Sequence, residues 1–258
     1  MQIFKKILAT IFNTNSESSN STQTEQMKKN KHQANNDDPQ HQQLLDDGYK
    51  IIQDHNEALK YFKLLAEQGD ARGQYNLGIM YAEGYGTKQN LSEALKYYKL
   101  AAKQGERRAQ YNLGGMYDNG EGVKQDYNEA LKYYKLSAKQ GYAKAQCNLG
   151  VMYANGDGVK QDVSEAIKYY KLAAEQGEIL AQYYLGALYD RGDAVKQDYD
   201  KALKYYKLAA AQGHAIAQYN LGVMYSRGYG VKQDDNEALK YYKLAAEQRD
   251  ADAQYNLG

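Results

Sequence analysis

Apolar and polar positions in this chain recur with a period of 36 residues from position 71 onwards. The second and third copies of the pattern share 24 of their 36 residues. A period of this length is in the range of helical solenoids, in which each unit buries its apolar face against its neighbours. Five full copies occupy residues 71–106, 107–142, 143–178, 179–214 and 215–250.

Helix A, which we assign to the first half of each copy, carries its apolar residues on one stripe. In the first copy the stripe holds Gly73, Leu77, Met80 and Tyr81, and the spacing of these residues predicts an α-helix with one buried face. Every copy also places a glycine inside this helix. Because a glycine there costs about 1 kcal/mol relative to alanine, its recurrence predicts that a partner helix approaches closely. These glycines are Gly78, Gly114, Gly150, Gly186 and Gly222.

Turn and capping signals separate helix A from a second helix, helix B. Gly84 and Gly86 can take the positive φ that ends a helix. Asp126, with Glu129 three residues on, forms a capping box that predicts the start of helix B. The fourth copy has Lys201 in place of this Glu, so we expect its helix B to start less firmly. The same box recurs at Asp54…Glu57, Asn90…Glu93, Asp162…Glu165 and Asp234…Glu237.

Helix B is predicted to bury one face and to expose the other. On the exposed face, the Lys96 and Lys99 pair recurs in later copies as far as Lys240 and Lys243, which indicates a solvated basic row. Gly105 and its counterparts are expected to end the helix. The residues predicted to be buried in the first copy are Ala94, Leu95, Tyr98, Ala101 and Ala102.

The two ends of the chain depart from the full repeat. Residues 1–37 begin with a short apolar and basic stretch and continue as Ser, Asn, Gln and Lys, a composition that predicts disorder. Residues 38–70 are interpreted as a degenerate first repeat, with a helix ending near Asp47 and helix B over 54–68. Residues 251–258 begin a further helix A and form a partial repeat.

The repeated string resembles a known family. Residues 143–178 read AKAQCNLGVMYANGDGVKQDVSEAIKYYKLAAEQGE, which closely matches the Sel-one-like repeat, a relative of the tetratricopeptide repeat, except for Cys147 where Tyr is usual. The resemblance covers about residues 38–258 and implies an all-α, right-handed αα-solenoid of helix-turn-helix repeats. It also implies adaptor roles, including contacts of host-associated microbes with host proteins. The paired cysteines of a bacterial branch linked to β-lactam binding are missing, so that activity is not expected here.

The tetratricopeptide likeness implies that helix A positions 2, 5, 9, 12 and 13 line a concave groove. Residues at these positions differ between copies, so packing alone does not dictate them. Arg72, Arg108 and Lys144, followed by Leu180 and Ile216, form the position 2 series, which predicts one exposed wall that is basic and then apolar. The other candidate partner-binding residues, at positions 5 and 13, are Tyr75, Tyr111, Tyr183, Tyr219, Arg191 and Arg227.

Composition and charge narrow the classes of ligand. Outside residues 1–43, the chain holds 28 basic and 28 acidic residues, so no overall field draws in nucleic acid. A single cysteine, Cys147, and four scattered histidines predict neither a metal site nor a cofactor or catalytic cluster. Segments such as Gly158-Val159-Lys160 lack the preceding strand of a phosphate loop and are interpreted as turns. No apolar run approaches the ~20 residues of a membrane span.

These observations predict a non-catalytic protein-interaction scaffold that binds a peptide or protein partner in its groove. The expected location is cytoplasmic. An alternative is a secreted or surface effector of a host-associated microbe, if the apolar stretch Ile7–Phe12 acts as an export signal. A hydrolase related to the cysteine-rich branch is a third reading, which the missing cysteine pairs disfavour.

Overall fold

A computed structural model describes residues 55–192, 195–248 and 253 of the 258-residue chain. This part contains eleven helices of 13 residues each and no strand, and each helix packs chiefly against its neighbours along the chain. The predicted all-α repeat architecture is confirmed. The helices are α1 His55–Glu67, α2 Ala71–Glu83, α3 Leu91–Lys103, α4 Arg107–Asn119, α5 Tyr127–Lys139, α6 Ala143–Asn155, α7 Val163–Glu175, α8 Ile179–Arg191, α9 Tyr199–Ala211, α10 Ala215–Arg227 and α11 Asp235–Glu247.

The described residues include only part of the two end segments for which the sequence made predictions. The predicted helix B over 54–68 corresponds to α1. The predicted disordered tail, the degenerate helix ending near Asp47 and most of the partial repeat 251–258 lie outside the described residues. Within that last segment only Ala253 is described, and it is buried.

The helix boundaries follow the predicted capping signals. Gly84 ends α2 with a φ of 76°, and Asp126 begins α5 by accepting a hydrogen bond from the Glu129 N–H at 3.2 Å. In the fourth copy, Asp198 still accepts from the Lys201 N–H at 3.0 Å, and the Lys201 Nζ donates to Asp198 Oδ2 at 2.6 Å. The cap is therefore formed in that copy too, with a lysine ion pair where the other copies have the box glutamate.

The glycine inside each helix A faces the ring of a buried tyrosine of helix B. At Gly78, an added Cβ would lie 2.6 Å from Cδ1 of Tyr98, which is closer than atoms pack. The same pairing recurs in all five copies, and it confirms the predicted close approach of the two helices. The tyrosines concerned are Tyr98, Tyr134, Tyr170, Tyr206 and Tyr242.

A buried glutamine on each helix A joins successive repeats. Gln110 donates from Nε2 to the Ala102 carbonyl of the preceding helix B at 3.2 Å, and it accepts at Oε1 from Nε2 of Gln140 at 2.8 Å. Burying an amide is costly unless its polar atoms are paired, and here both ends are paired. The arrangement recurs at Gln74, Gln146, Gln182 and Gln218. This row, which the periodicity did not reveal, fixes the register between helical pairs.

Candidate functional site

Two cavities lie along the face that the A helices share. The first is a cavity of about 320 Å³ bounded by α2, α4 and α6 and by the tyrosines that reach through from α3 and α5. We call it the acidic pocket, because Glu83, Asp118 and Glu121 are its charged lining residues. The remaining lining residues are Ala82, Leu91, Tyr98, Tyr111, Asn112, Gly115, Met116, Asn119, Tyr134 and Asn148.

The acidic pocket is built around a tyrosine–aspartate hydrogen bond. The hydroxyl of Tyr134 donates to Oδ2 of Asp118 at 3.2 Å, and the Asn148 amide lies beside the same hydroxyl. Burial raises the pKa of Asp118 above its ordinary value; the Tyr134 bond opposes this rise, and the charge of Asp157 adds to it. A carboxylate placed in this way is stabilised by a cation that enters the pocket.

The acidic pocket contains no internal counter-ion within the described chain. Glu83 and Asp118 form no ion pair there, and Glu121 accepts a hydrogen bond only from the neutral amide of Asn119, at 3.0 Å. The corresponding stretches 82–85, 118–121 and 154–157 hold no Lys or Arg. The C-terminal ends of the first three A helices therefore present uncompensated negative charge.

The second cavity, the apolar pocket, has a volume of about 310 Å³ and lies between α6 and α8. Arg191, which is exposed, stands at its edge as the charged lining residue. Helix A position 9 changes from Gly115 in the second copy to Val151 and Ala187 here, so the wall of the cavity becomes aliphatic. The full lining is Val151, Ala154, Asn155, Tyr170, Tyr184, Ala187, Leu188 and Arg191.

The shape of the apolar pocket follows from two departures from the repeat pattern, one in each of two adjacent repeats. Cys147 stands where the other copies have tyrosine and is 2% exposed. Tyr184 of the next repeat, where the other copies have asparagine, packs against Tyr170 with ring centroids 5.2 Å apart. Tyr184 thus makes the aromatic contact with Tyr170 that the smaller Cys147 cannot make. Burial raises the pKa of the Cys147 thiol to about 12, as expected of a packing residue rather than a nucleophile.

The three predicted basic wall residues occupy different environments. The expectation that Arg72 is exposed is wrong, because Arg72 is only 6% exposed. Arg108 lies 4.6 Å above the ring of Tyr75, and its Nε pairs with Glu106 at 3.0 Å. Of the three, Lys144 alone is exposed. The structure therefore does not form the uniform basic wall expected from the sequence.

The apolar part of that series is exposed as expected, with Leu180 at 44% and Ile216 at 46%. The position 5 tyrosines are half-buried and contact the buried helix B tyrosine of their own repeat, with ring centroids 5.8–6.2 Å apart. These tyrosine rings are packed beside the cavities and are not free side chains. They are Tyr75, Tyr111, Tyr183 and Tyr219.

The position 13 arginines remain exposed, as expected for groove residues. Arg191 is close enough to Asp190 to oppose the rise in the pKa of that carboxyl that burial causes. Arg227 is hydrogen-bonded to Tyr229, and this contact raises its pKa. The C-terminal part of the groove is therefore edged by arginine where the N-terminal part is edged by carboxylates.

One face of the B helices carries a row of leucines, and stacked tyrosine pairs join helix A to helix B. Tyr117 and Tyr133 stack with centroids 5.8 Å apart at 7°, and Lys135 lies 5.7 Å from the ring of Tyr153 in the next repeat. One leucine per repeat is 38–47% exposed on this face, which the sequence did not single out. These are Leu64, Leu100, Leu136, Leu172, Leu208 and Leu244.

Other kinds of site find no support in the described ranges. No group of three or more His, Cys, Asp or Glu side chains is placed to hold a metal ion between residues 55 and 248 or at 253, apart from the undescribed gaps. Among the described helices, none has the length and apolarity that a membrane span requires.

Comparison with known proteins identifies the repeat. The Sel1 repeat sequence profile matches residues 43–70, 71–106, 107–142, 143–178, 179–214 and 215–250. No curated protein sequence matches the chain.

Solved structures share the fold. The c5321 protein of uropathogenic Escherichia coli, described as a protective antigen displaying an SLR fold, is 43% identical with a TM-score of 0.74 over 77% of this chain. The match covers 43% of the c5321 chain, so the present chain spans less than half of it. A Sel1 repeat protein from Oxalobacter formigenes is 33% identical with a TM-score of 0.75, over 81% of this chain and 83% of that one. The immunity protein Pa5087 from Pseudomonas aeruginosa, 24% identical with a TM-score of 0.55, covers 86% and 87% and shares the fold alone.

Proposed function

The chain belongs to the Sel1 repeat family, whose members generally serve as protein-interaction scaffolds, and from this premise we propose that it binds another protein in the groove of its A helices. The observation that carries the proposal is the contrast between constant and variable positions. Gly78 and its counterparts, with their facing tyrosines, are the same in every copy. The residues that edge the two pockets differ, from Glu83 and Asn119 to Asn155 and Arg191. Variation at an accessible groove that a constant scaffold supports is typical of a surface shaped for a ligand.

Gly115 offers a way to test the groove directly. A Cβ added at Gly115 meets only the Tyr134 hydroxyl within 4 Å, at 3.8 Å, so a side chain there can extend into the acidic pocket without disturbing the fold. We would place a photo-crosslinking benzoylphenylalanine at this position in the source cells. Covalent adducts with one or a few proteins are expected, and mass spectrometry would identify them.

Leu136 provides the matched control for this experiment, because it is 43% exposed on the B-helix surface of the same repeat. The same photo-reactive residue at that position is expected to give no specific adduct. Adducts from Leu136 without adducts from Gly115 would move the binding surface to the B helices and contradict the proposal. The absence of adducts from both positions would also contradict it.

We further propose that the chain is not an enzyme. The family is generally non-catalytic, and the buried, weakly acidic Cys147 thiol supports this view. The hydrolase alternative predicts turnover of a chromogenic β-lactam such as nitrocefin by the purified chain. Turnover above that of a heat-denatured sample would refute the non-catalytic assignment.

We propose a cytoplasmic location, with export to the cell surface as the alternative. The likeness to c5321, described as a protective antigen, is the observation that favours the alternative. Fractionation of cells that express a C-terminally tagged chain separates the two. Recovery of the tag in the medium or outer fraction, with a cytoplasmic marker retained, would establish export and direct the search for partners to host proteins.

A further inference from the structure

Building on the proposed function, we propose that the groove binds an extended protein segment that carries a lysine or arginine in the acidic pocket. The same segment places an apolar side chain in the apolar pocket, next to a carboxylate that faces Arg191. The partner is thus defined by the order of three chemical groups along one stretch of chain: a cation, an apolar residue and an anion.

The acidic pocket selects the cation. Glu83 and Asp118 line one cavity of about 320 Å³ and lack a counter-ion in the described chain, and the Tyr134 hydroxyl holds the Asp118 carboxylate in place. The side-chain amides of Asn112 and Asn148 line the same cavity and can bond the backbone of an incoming segment. A cavity of about 320 Å³ accommodates a lysine or arginine side chain, and the charge of that side chain meets the carboxylates in a partly desolvated position.

The apolar pocket selects the middle of the segment. Val151, Ala187 and Leu188 give it an aliphatic wall, and Tyr170 with Tyr184 closes it with aromatic rings. A volume of about 310 Å³ accommodates a leucine, isoleucine or phenylalanine side chain. Buried apolar anchors of this kind contribute most of the affinity in peptide recognition, whereas charges mainly set register and on-rate.

Arg191 and Arg227 select the anion. Both are exposed at the ends of α8 and α10, where the first three A helices have Glu83 and two asparagines. An approaching carboxylate is attracted here and repelled by the acidic pocket, so the segment can lie in the groove in one polarity only. Nucleic acid is disfavoured, because its phosphates would have to pass the uncompensated carboxylates of the acidic pocket.

The spacing of the pockets sets the spacing of the groups. Helices in contact lie about 8–10 Å apart, so the centres of the two pockets are separated by on the order of 15 Å. An extended chain covers about 3.3 Å per residue, which places the apolar residue about four or five positions along the chain from the cationic one.

The test measures binding of fluorescent peptides to the full chain by anisotropy. The probes carry one Arg, a Gly-Ser spacer of three to five residues, then Leu-Asp, in both sequence directions, with acetylated and amidated ends. We expect one direction to bind and a probe with Arg and Asp exchanged to bind at least about fivefold more weakly, the factor that corresponds to roughly 1 kcal/mol.

Charge variants of the protein assign each contact. Asp118→Asn combined with Glu83→Gln is expected to weaken binding of the probe that carries Arg by about fivefold or more. Arg191→Glu is expected to weaken binding of the probe that ends in Leu-Asp. A probe that ends in Leu-Lys should bind this variant about as well as the Leu-Asp probe binds the wild type. Lys139→Glu, on the exposed surface of α5, makes an equal charge change away from the groove and should alter binding by less than about twofold.

Three results would overturn the inference: no probe binds at millimolar protein, binding ignores exchange of Arg and Asp, or the Leu-Lys probe fails to recover. Circular dichroism of each variant excludes misfolding as the cause. Crosslinking from Gly115 separates this outcome from failure of the proposed function. If adducts form there while the probes fail, the groove binds protein but the order of groups assigned here is wrong. If no adducts form, both proposals fail.

Discussion

The second and fourth repeats place the same pair of side chains in the groove but surround it differently. Tyr134 donates to Asp118 at 3.2 Å, and Tyr206 donates to Asp190 at the same distance. The second pair lies beside Arg191, whereas the first has Asn119 next to it and feels the charge of Asp157. The repeat pattern therefore places a tyrosine hydroxyl at the groove in both repeats. Substitutions at neighbouring positions change the charges around the aspartate to which that hydroxyl donates.

The difference arises from residues that carry little of the packing. Gly114 and Gly186 lie against Tyr134 and Tyr206 in the same way, so the helical pair is equivalent in the two repeats. What changes is the next position, Gly115 in one copy and Ala187 in the other, and the groove-edge residue four positions further on, Asn119 in one copy and Arg191 in the other. The scaffold can thus vary its ligand preference from repeat to repeat without altering the contact that holds each repeat together.

The largest expected effect tests whether the two repeats are equivalent in their packing. Gly114→Ala and Gly186→Ala each place a methyl group into the ring of the facing tyrosine, and overpacking of this kind costs about 1–3 kcal/mol. We expect similar losses of stability in the two variants, measured by urea denaturation. A loss in one variant without a loss in the other would show that the repeats differ in their core and not only at the groove.

Gly115→Ala should act in the opposite direction to its neighbour. The position is helical and open, so the methyl group meets no packed atom, and alanine is favoured over glycine in a helix by about 1 kcal/mol. We expect a gain of about 0.5–1 kcal/mol in the free energy of unfolding, which makes the second repeat resemble the fourth. A loss of stability comparable to that of Gly114→Ala would mean that the acidic pocket is closed in solution.

The carboxylates allow a pH-dependent comparison. Burial raises the pKa of both Asp118 and Asp190, so at neutral pH each ionised group costs folding stability, and this cost is relieved as the pH falls through the raised pKa. Asp118→Asn should therefore stabilise the chain modestly at pH 7, because solvent screens part of this half-buried charge, and the gain should shrink as the pH falls towards the unfolded value near 3.8.

Asp190→Asn should give a smaller gain than Asp118→Asn, because it removes a carboxylate that Arg191 stabilises. Around Asp118 the corresponding neighbours are Tyr134, Asn148, Glu83 and Asp157, none of them cationic. Denaturant titrations of both variants and the wild type between pH 4 and 7 would measure the difference. Equal gains for the two variants would remove the electrostatic distinction between the repeats.

The sequence predicted the parts of this structure that depend on contacts within one repeat. The close approach of a partner helix at Gly78, the end of α2 at Gly84 and the cap at Asp126 follow from local sequence signals, and all are observed. Contacts between repeats were harder to predict from the sequence. Gln110, for example, donates to the Ala102 carbonyl of the preceding repeat, and periodicity alone did not show that such buried amides are paired.

The candidate site was predicted less completely than the fold. The expected basic wall failed because Arg72 is buried, and because Arg108 contacts Tyr75 and pairs with Glu106. Asp118 was missed because its role depends on a hydroxyl that reaches the groove from helix B. The variation at position 12 was the signal that could have revealed it.

The smallest expected effect concerns the start of helix B, where the two repeats exchange charge. Glu129 lies in the first turn of helix B in the second repeat and pairs with Lys132 at 2.9 Å, whereas Lys201 pairs with Asp198 and lies 5.1 Å from the ring of Tyr189. An acidic side chain in the first turn interacts favourably with the helix dipole by roughly 0.3–1 kcal/mol, but each exchange also removes one exposed ion pair and creates another. Glu129→Lys should therefore destabilise the chain slightly and Lys201→Glu should stabilise it slightly, each by less than about 0.5 kcal/mol. Chemical denaturation of the two variants and of the double exchange measures these terms. A change above about 1 kcal/mol in either variant would show that the start of helix B depends on this residue far more than the intact Asp198 cap indicates.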